Sequence, residues 1–315
     1  MKLRIGHLST FYHTAIILIA KDAVTKTLGM DVEWRLFGTG PAIVNAFEKK
    51  ELDLAYLGLP PAAIGISKGV GIVCVAGGHM EGTVIAGTRD FAGFPEIEDL
   101  WTILNQFRGR KIGVPGKGSI HDVILSECLE RYGLTKEITV VNFPWADEVI
   151  EAVVRGEVSA AVGTPALAVA VRRFAHGKIL FPPSKLWSNN PSYGILVDRD
   201  FLERKKDTVK RFLVMHEDAT SLIRNNPHHA AQVISDYVGF IDEEFVLETL
   251  KVSPKYCAQL TDRFIASTME FVKVLKRLGY IEREIMSDEI FDTSLINAIH
   301  PEKDHYGDGI SSTVS

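Results

Sequence analysis

Residues 31–63, DVEWRLFGTGPAIVNAFEKKELDLAYLGLPPAA, indicate how the rest of the chain is organised. The apolar, β-prone run 32–37 predicts a strand, and the glycines and proline of residues 38–41 end it. Apolar residues then recur at helical spacing, and a second strand over residues 52–57 precedes the two prolines of 60–61, which suit the first turn of a helix. The order strand, glycine loop, helix, strand predicts parallel strands whose carboxyl ends place two loops side by side.

The glycine loop at residues 38–41 suggests how a ligand could be held. The first turn of a helix exposes unpaired backbone N–H groups and about half a positive charge, and glycine lets a ligand approach the backbone closely. Residues 116–119 form a second glycine loop ahead of a helix, without the spacing of a nucleotide-binding P-loop. We therefore expect both loops to face an anionic group of a ligand. The residues expected there are Thr39, Gly40, Gly118 and Ser119.

Composition limits the class of protein. The 315 residues are 46% hydrophobic and 24% charged, and this length exceeds the size at which one core usually keeps growing. The formal net charge is -5 without a basic run, which argues against nucleic acid as a partner. The apolar run 15–20 is too short to cross a membrane, so no membrane insertion is expected. Three cysteines far apart in sequence favour buried thiols over disulfides or metal ligation.

An internal sequence repeat predicts two similar lobes. Residues 157–166 repeat the order acid, strand, glycine, proline of residues 51–62, which indicates one αβ plan used twice. Dense glycines after the buried run 71–76 indicate the crossover between lobes, and each lobe should hold a mainly parallel sheet flanked by helices. The expected division is residues 1–86 plus 195–285 for lobe 1, 87–194 for lobe 2 and 286–315 for a C-terminal tail.

The same stretches resemble one protein family. Gly38-Thr39-Gly40-Pro41, the strand 52–57 and the prolines after it are similar to the first lobe of ABC-importer substrate-binding proteins that handle sulfonates, taurine, nitrate and thiamine precursors. Residues 107–114 match the family's Leu-x-Gly-x-Lys-Ile-x-Val with modest changes, whereas Gly163-Thr164-Pro165 departs from its frequent Trp-Glu-Pro. The resemblance implies an α/β, two-lobed, type II periplasmic-binding-protein-like fold with a helical C-terminal extension. It also implies a small-molecule ligand, anionic or aromatic, and an ABC permease as partner.

Candidate ligand-binding residues come from loops that the two-lobed arrangement brings to one cleft. The resemblance assigns the loop 9–13 to one wall, and His13-Thr14-Ala15 is similar to the His-Thr-Gly of thiamine-precursor members. Aromatic side chains in such loops supply stacking area, while polar groups fix orientation. A simpler interpretation places His13 in solvent and His79 in a solvated turn. The full candidate set is Ser9, Thr10, Phe11, His13, Thr39, Gly40, Leu59, His79, Gly118, Ser119, His121, Trp145, Thr164 and Tyr193.

Catalytic motifs for serine hydrolases, zinc proteases, CxxC redox centres and dinucleotide-binding enzymes are missing from the sequence, so no catalytic residue and no cofactor is expected. An enzyme on the same fold, similar to menaquinone-pathway lyases, remains the alternative. The lack of a signal peptide before the first strand and the three free cysteines support this alternative, whereas the absence of a catalytic constellation counts against it. Its proton-transferring groups would be His13, His79, Glu81 or His121. The compartment depends on Met1: cytoplasmic if Met1 is the natural start, extracytoplasmic if it replaces a removed leader.

The last thirty residues lose helical periodicity. Pro301 and several glycines and serines favour a mobile tail there. His300, Asp304, His305 and Asp308 have the side chains for a metal site, but the tail interpretation assigns no metal to them.

Overall fold

The computed structural model describes residues 2–310. Its strands are β1 (Lys2–Leu8), β2 (Asp31–Phe37), β3 (Leu54–Leu57), β4 (Ile72–Met80), β5 (Val84–Gly87), β6 (Lys111–Pro115), β7 (Thr139–Phe143), β8 (Ala160–Gly163), β9 (Lys178–Phe181) and β10 (Pro191–Asp198). Its helices are α1 (Thr14–Ala20), α2 (Ala23–Leu28), α3 (Gly40–Glu48), α4 (Leu59–Ser67), α5 (Leu100–Asn105), α6 (Ile120–Arg131), α7 (Ala146–Val154), α8 (Pro165–Phe174), α9 (Pro183–Leu186), α10 (Arg199–Arg204), α11 (Lys206–Asn225), α12 (Pro227–Val238), α13 (Glu243–Val252), α14 (Asp262–Arg277), α15 (Ser287–Ile290) and α16 (Ser294–Ile299).

The strands form two five-stranded sheets, ordered β2-β1-β3-β10-β4 and β7-β6-β8-β5-β9. In the first sheet β1 is parallel to β2 and β3, whereas β10 is antiparallel to both of its neighbours. The second sheet repeats this pattern, with β6 parallel to β7 and β8 and with β5 antiparallel to β8 and β9. Each sheet therefore has four strands in one direction and one reversed strand. The two-lobed α/β fold is confirmed, and the reversed strands are the ones that the chain enters from the other sheet.

Two short segments carry the chain between the sheets, residues 81–83 and residues 182–190. The buried carboxylate of Glu81 joins them, because its Oε1 accepts from the Asn189 N–H at 2.9 Å and from Lys255 Nζ at 2.8 Å. The Glu81 N–H also donates to the Asn190 carbonyl at 2.7 Å. We propose that each sheet with its helices is one lobe and that these bonds hold the two crossovers together as a hinge.

Residues after Met286 are packed, and the expectation of a mobile tail is wrong as far as residue 310. Ile290 and Ile296 are fully buried, and the Tyr306 hydroxyl donates to the Gln259 carbonyl at 3.0 Å. The helices α15 and α16 have only four and six residues, too short to show a period in the sequence. Residues 311–315 lie outside the part of the chain that the structure describes.

The burial of individual residues confirms two further predictions, one on the cysteines and one on His216. All three cysteines are buried and unpaired. His216, which falls on the apolar stripe of α11, is a core residue whose Nε2 lies 2.8 Å from the Gly77 carbonyl oxygen and whose Nδ1 lies 3.0 Å from Thr14 Oγ1.

Between residues 2 and 310, no helix combines the length and the apolar character needed to span a bilayer.

Candidate functional site

A small cavity lies between the two sheets, at the ends of strands from both. Loops after β1, β2 and β3 form one wall, and loops after β6, β7 and β8 contribute to the other. Its volume is about 50 Å³, far below the roughly 300 Å³ of a site for a drug-sized molecule. Eight candidate residues lie in its lining: Ser9, Thr10, His13, Thr39, Gly40, Ser119, His121 and Thr164. The cavity therefore suits a compact group held by contacts from both sheets.

Four helices begin at this cavity. The residues that cap α3, α4, α6 and α8 are Thr39, Gly58, Ser119 and Thr164, and all four line it. Each helix has at least nine residues, so each carries a partial positive charge at this end. None of the described residues that line the cavity has a charged side chain. The positive potential here therefore comes from backbone dipoles, which attract an anion without an ion pair.

The capping hydroxyl groups differ in whether their own proton is free to be donated to a ligand. Thr39 Oγ1 accepts from the Ala42 N–H at 3.4 Å, and Thr164 Oγ1 accepts from the Leu167 N–H at 3.1 Å. Neither hydroxyl has an acceptor for its own proton among the described residues. The Ser119 hydroxyl, in contrast, donates to the Pro115 carbonyl at 2.5 Å. Thr39 and Thr164 can therefore donate to a ligand oxygen, whereas Ser119 serves mainly to fix α6.

Two further polar atoms at the cavity wall lack partners. Thr10 Oγ1 and His13 Nδ1 are buried, and neither makes a hydrogen bond to any described residue. A buried polar group without a partner costs about 1–3 kcal/mol, so such groups are expected to meet a water molecule or a ligand. These two atoms belong to the loop after β1, on the side of the cavity formed by the first sheet.

The two cavity histidines are neutral near pH 7. Burial lowers the pKa of His121 to about 3, and its Nδ1 lies 2.9 Å from Thr83 Oγ1. Burial, reinforced by neighbouring histidines, holds the pKa of His13 well below its ordinary value. The His13 ring packs against Tyr193 at 4.0 Å and Tyr12 at 4.7 Å between centroids. Both imidazoles therefore act as uncharged hydrogen-bonding groups.

Six candidate residues lie outside the cavity lining. Leu59, His79 and Tyr193 are fully buried behind it, and His79 Nε2 donates to the Ser253 carbonyl at 2.6 Å. Phe11 turns away to pack edge-on against Phe240, at 5.9 Å between centroids, and against Phe245. The other two are Gly118, which faces a neighbouring groove, and Trp145, which is 37% exposed at the rim.

Ser192 lines the cavity without having been a candidate, next to Tyr12, an aromatic residue of the loop 9–13. Their hydroxyl oxygens lie 3.1 Å apart and so connect the loop after β1 to the start of β10. Tyr12 lies inside the loop that the sequence indicated, whereas Ser192 follows an irregular loop that gives no periodic signal.

Loops of the two sheets touch each other across the cavity. A Cβ atom placed on Gly38 would lie 2.4 Å from the Pro144 carbonyl oxygen and 2.9 Å from the Trp145 ring. A Cβ atom on Gly116, which has a φ of +58°, would lie 2.6 Å from Thr39 Cγ2. Only glycine fits at such an approach, so the structure has the two sheets in a closed arrangement.

Comparison with known proteins agrees with this architecture. The NMT1-like family matches residues 1–236. The taurine-binding periplasmic protein of Escherichia coli (strain K12) is 27% identical over 216 residues, covering 66% of this chain and 62% of that protein.

Two solved structures share the fold at low identity. The periplasmic aliphatic sulphonate binding protein SsuA of Escherichia coli has a TM-score of 0.75 at 16% identity, covering all of this chain and 96% of its own. The periplasmic nitrate-binding protein NrtA of Synechocystis PCC 6803 has a TM-score of 0.77 at 13% identity, covering 95% of this chain and 88% of its own.

Proposed function

The chain belongs to the NMT1-like family, and we propose that it is a solute-binding protein whose two lobes close over a small oxyanion for delivery to an ABC importer. Proteins similar to it in sequence and fold are periplasmic binding proteins for taurine, sulphonates and nitrate. The observation that carries the proposal is the meeting of four helix N-termini at one small cavity without charged side chains.

The chemistry of the lining favours an anion over a neutral or cationic ligand. The helix N-termini supply partial positive charge, and the Thr10, Thr39 and Thr164 hydroxyl groups supply hydrogen-bond donors. Backbone donors are fewer, because α3, α4 and α8 have prolines without an N–H in their first turns. A cation would find no carboxylate among the described lining residues. Aromatic rings at the wall, such as Tyr12, can pack against a short apolar part of the ligand. A sulfonate, nitrate or small carboxylate fits these properties.

Thermal-shift measurements with a panel of small anions test the proposal. We expect at least one sulfonate, nitrate or carboxylate to raise the melting temperature, since a ligand at 100 times its Kd adds about 2.7 kcal/mol. Calorimetry should then compare methanesulfonate with methanesulfonamide, its uncharged analogue of similar size. Equal affinity for the two, or no response to any anion, would argue against an anion site.

The substitution Thr10→Val is expected to lower affinity for the ligand about tenfold without destabilising the ligand-free protein. Thr10 Oγ1 is buried without a partner, so removing the hydroxyl takes no hydrogen bond from the fold. It would remove one donor to an anionic ligand, which is worth about 1.5–3 kcal/mol at most. Calorimetry and urea unfolding measure the two effects, and the exposed Thr139→Val serves as the matched control. Unchanged affinity in Thr10→Val would remove this hydroxyl from the site.

A second candidate function is an enzyme similar to menaquinone-pathway lyases. The observation that favours it is His13 Nδ1, a buried nitrogen at the cavity without a partner among the described residues. Burial keeps the His13 pKa low, which makes the imidazole a weak base near neutral pH. Mass analysis of ligands after long incubation separates the two candidates: a binding protein returns the ligand unchanged, whereas an enzyme converts it and loses this conversion in His13→Gln.

A further inference from the structure

The segment that follows α16 brings two imidazoles and a carboxylate together. One possible ligand atom from each of His300, Glu302 and His305 lies within 4.8 Å of the other two. Their spacing, His-x-Glu-x-x-His over residues 300–305, lets one turn of chain present all three side chains. We propose that this cluster is a binding site for a divalent transition-metal ion of the zinc class, separate from the ligand cavity.

The backbone around His300 is ordered by its own hydrogen bonds. The His300 N–H donates to the Ile296 carbonyl at 2.8 Å, and the His300 carbonyl accepts from Gln259 Nε2 at 2.9 Å. The ring is fully buried. A metal site needs ligands presented from a fixed backbone, and this segment provides one.

The His300 ring is buried with its hydrogen-bonding capacity poorly used. Its Nδ1 has no hydrogen bond within residues 2–310, although Glu217 Oε2, equally unpartnered, lies only 3.2 Å away. Its Nε2 has two long contacts, 3.3 Å to the Lys303 carbonyl oxygen and 3.9 Å to Cys257 Sγ. A metal ion at Nε2 would give this buried imidazole a stronger partner than its two long contacts do.

Each histidine has a carboxylate next to its Nδ1. His305 Nδ1 lies 2.7 Å from Asp308 Oδ2, and His300 Nδ1 faces Glu217 as described. A carboxylate at Nδ1 holds the proton on that nitrogen and leaves the Nε2 lone pair for a metal, an arrangement common around zinc-binding histidines. His305 therefore has the outer partner that an Nε2 ligand requires, and His300 has Glu217 Oε2 within 3.2 Å of its Nδ1 without a formed hydrogen bond.

The donor set selects the metal class. Two imidazoles and one carboxylate are the ligands of many zinc sites, whereas calcium and magnesium take oxygen ligands almost entirely. The Cys257 thiol next to His300 adds a soft atom, and its sulfur already receives the N–H groups of Gln259 and His305 at 3.4 Å each. Zinc is therefore favoured over the hard cations.

All of the cluster except the fully buried His300 faces solvent. Glu302, His305, Asp308 and Glu217 line an open depression on the surface beside α11. An ion entering there would link the C-terminal segment to α11 through Glu217 and to the chain around Cys257. The proposed role is to fasten this segment to the first sheet, because metal binding adds its free energy to that of the ordered state.

Zinc titration of the metal-depleted full-length protein tests the proposal. We expect one zinc ion per chain by calorimetry and elemental analysis, a higher melting temperature with zinc, and no comparable effect of calcium. Glu302→Gln and His305→Gln should each weaken zinc binding at least tenfold, and both positions are exposed enough for the fold to tolerate them. The matched control is the double substitution of His228 and His229 by glutamine, which removes two adjacent histidines on α12.

Cobalt gives an independent readout, because Co²⁺ bound in place of zinc by imidazoles and a carboxylate absorbs visible light strongly only in a site of low coordination number. The proposal is overturned if zinc does not bind stoichiometrically. It is equally overturned if Glu302→Gln and His305→Gln both bind zinc with unchanged affinity, or if the loss appears instead in the His228 and His229 control.

Discussion

Replacing Gly38 with valine is expected to weaken ligand affinity at least a hundredfold while the protein remains folded. A Cβ atom at this position would lie 2.4 Å from the Pro144 carbonyl oxygen, a backbone atom that cannot rotate away. The loop after β2 and the loop after β7 could then no longer meet. Because the proposed ligand contacts come from both sheets, a protein held open would lose about half of these contacts. We expect this to cost about 2.7 kcal/mol of binding free energy, which is a hundredfold in Kd.

Gly71→Val is the matched control for this experiment. A Cβ atom at Gly71 would meet nothing within 4 Å, and the residue does not have a positive φ. Calorimetry measures the affinity, and small-angle scattering measures whether ligand makes the protein more compact. Wild-type affinity in Gly38→Val, or a ligand-induced contraction equal to that of the wild-type protein, would contradict closure as the mode of binding.

Three buried histidines are expected to lower the free energy of unfolding by roughly 6–8 kcal/mol between pH 7.5 and pH 4.5. Burial lowers the pKa of His79 and of His121 to about 3 and that of His216 to about 4. The unfolded chain binds protons at these histidines below about pH 6.5, whereas the folded chain does not. The stabilising contribution of these neutral histidines is therefore fully present well above pH 6.5. It is lost as the pH falls, by roughly 2–3 kcal/mol for each group at pH 4.5.

Urea unfolding at a series of pH values measures this loss. His216→Gln should reduce the number of protons taken up on unfolding at pH 5 by about one. Thr139→Val, at an exposed position without a titratable side chain, should leave that number unchanged. A free energy of unfolding that stays constant between pH 7 and pH 5 would show that these histidines do not remain neutral in the folded protein.

Local sequence patterns predicted the parts of the site that depend on neighbours in sequence. Thr39, Ser119 and Thr164 each follow a strand and precede a helix, and each accepts a bond from the N–H three residues on. The capping residue and the N–H group that it binds lie within one turn of chain, so the local sequence alone specifies such a cap. The same local logic predicted that the ends of parallel strands would meet at one cavity.

Contacts between distant segments were not predictable in the same way. Phe11 shares its loop with cavity residues, yet its side chain packs against Phe240 and Phe245, more than two hundred residues further along the chain. The packing of residues 287–310 was not predicted, because it also depends on contacts with a segment distant in sequence. Their short helices are ordered by burial against β4, where Cys74 pairs with Phe291, and not by any period of their own.

The most direct test of the proposed function is a crystal structure of the protein with the tightest-binding anion of the thermal-shift panel. We predict that the anion lies between the two sheets, with its oxygens about 2.7–3.2 Å from donors that include the Thr10 hydroxyl and first-turn N–H groups of α3 or α8. An anion bound instead by surface lysine or arginine side chains, with the cavity between the sheets holding only water, would contradict the proposal.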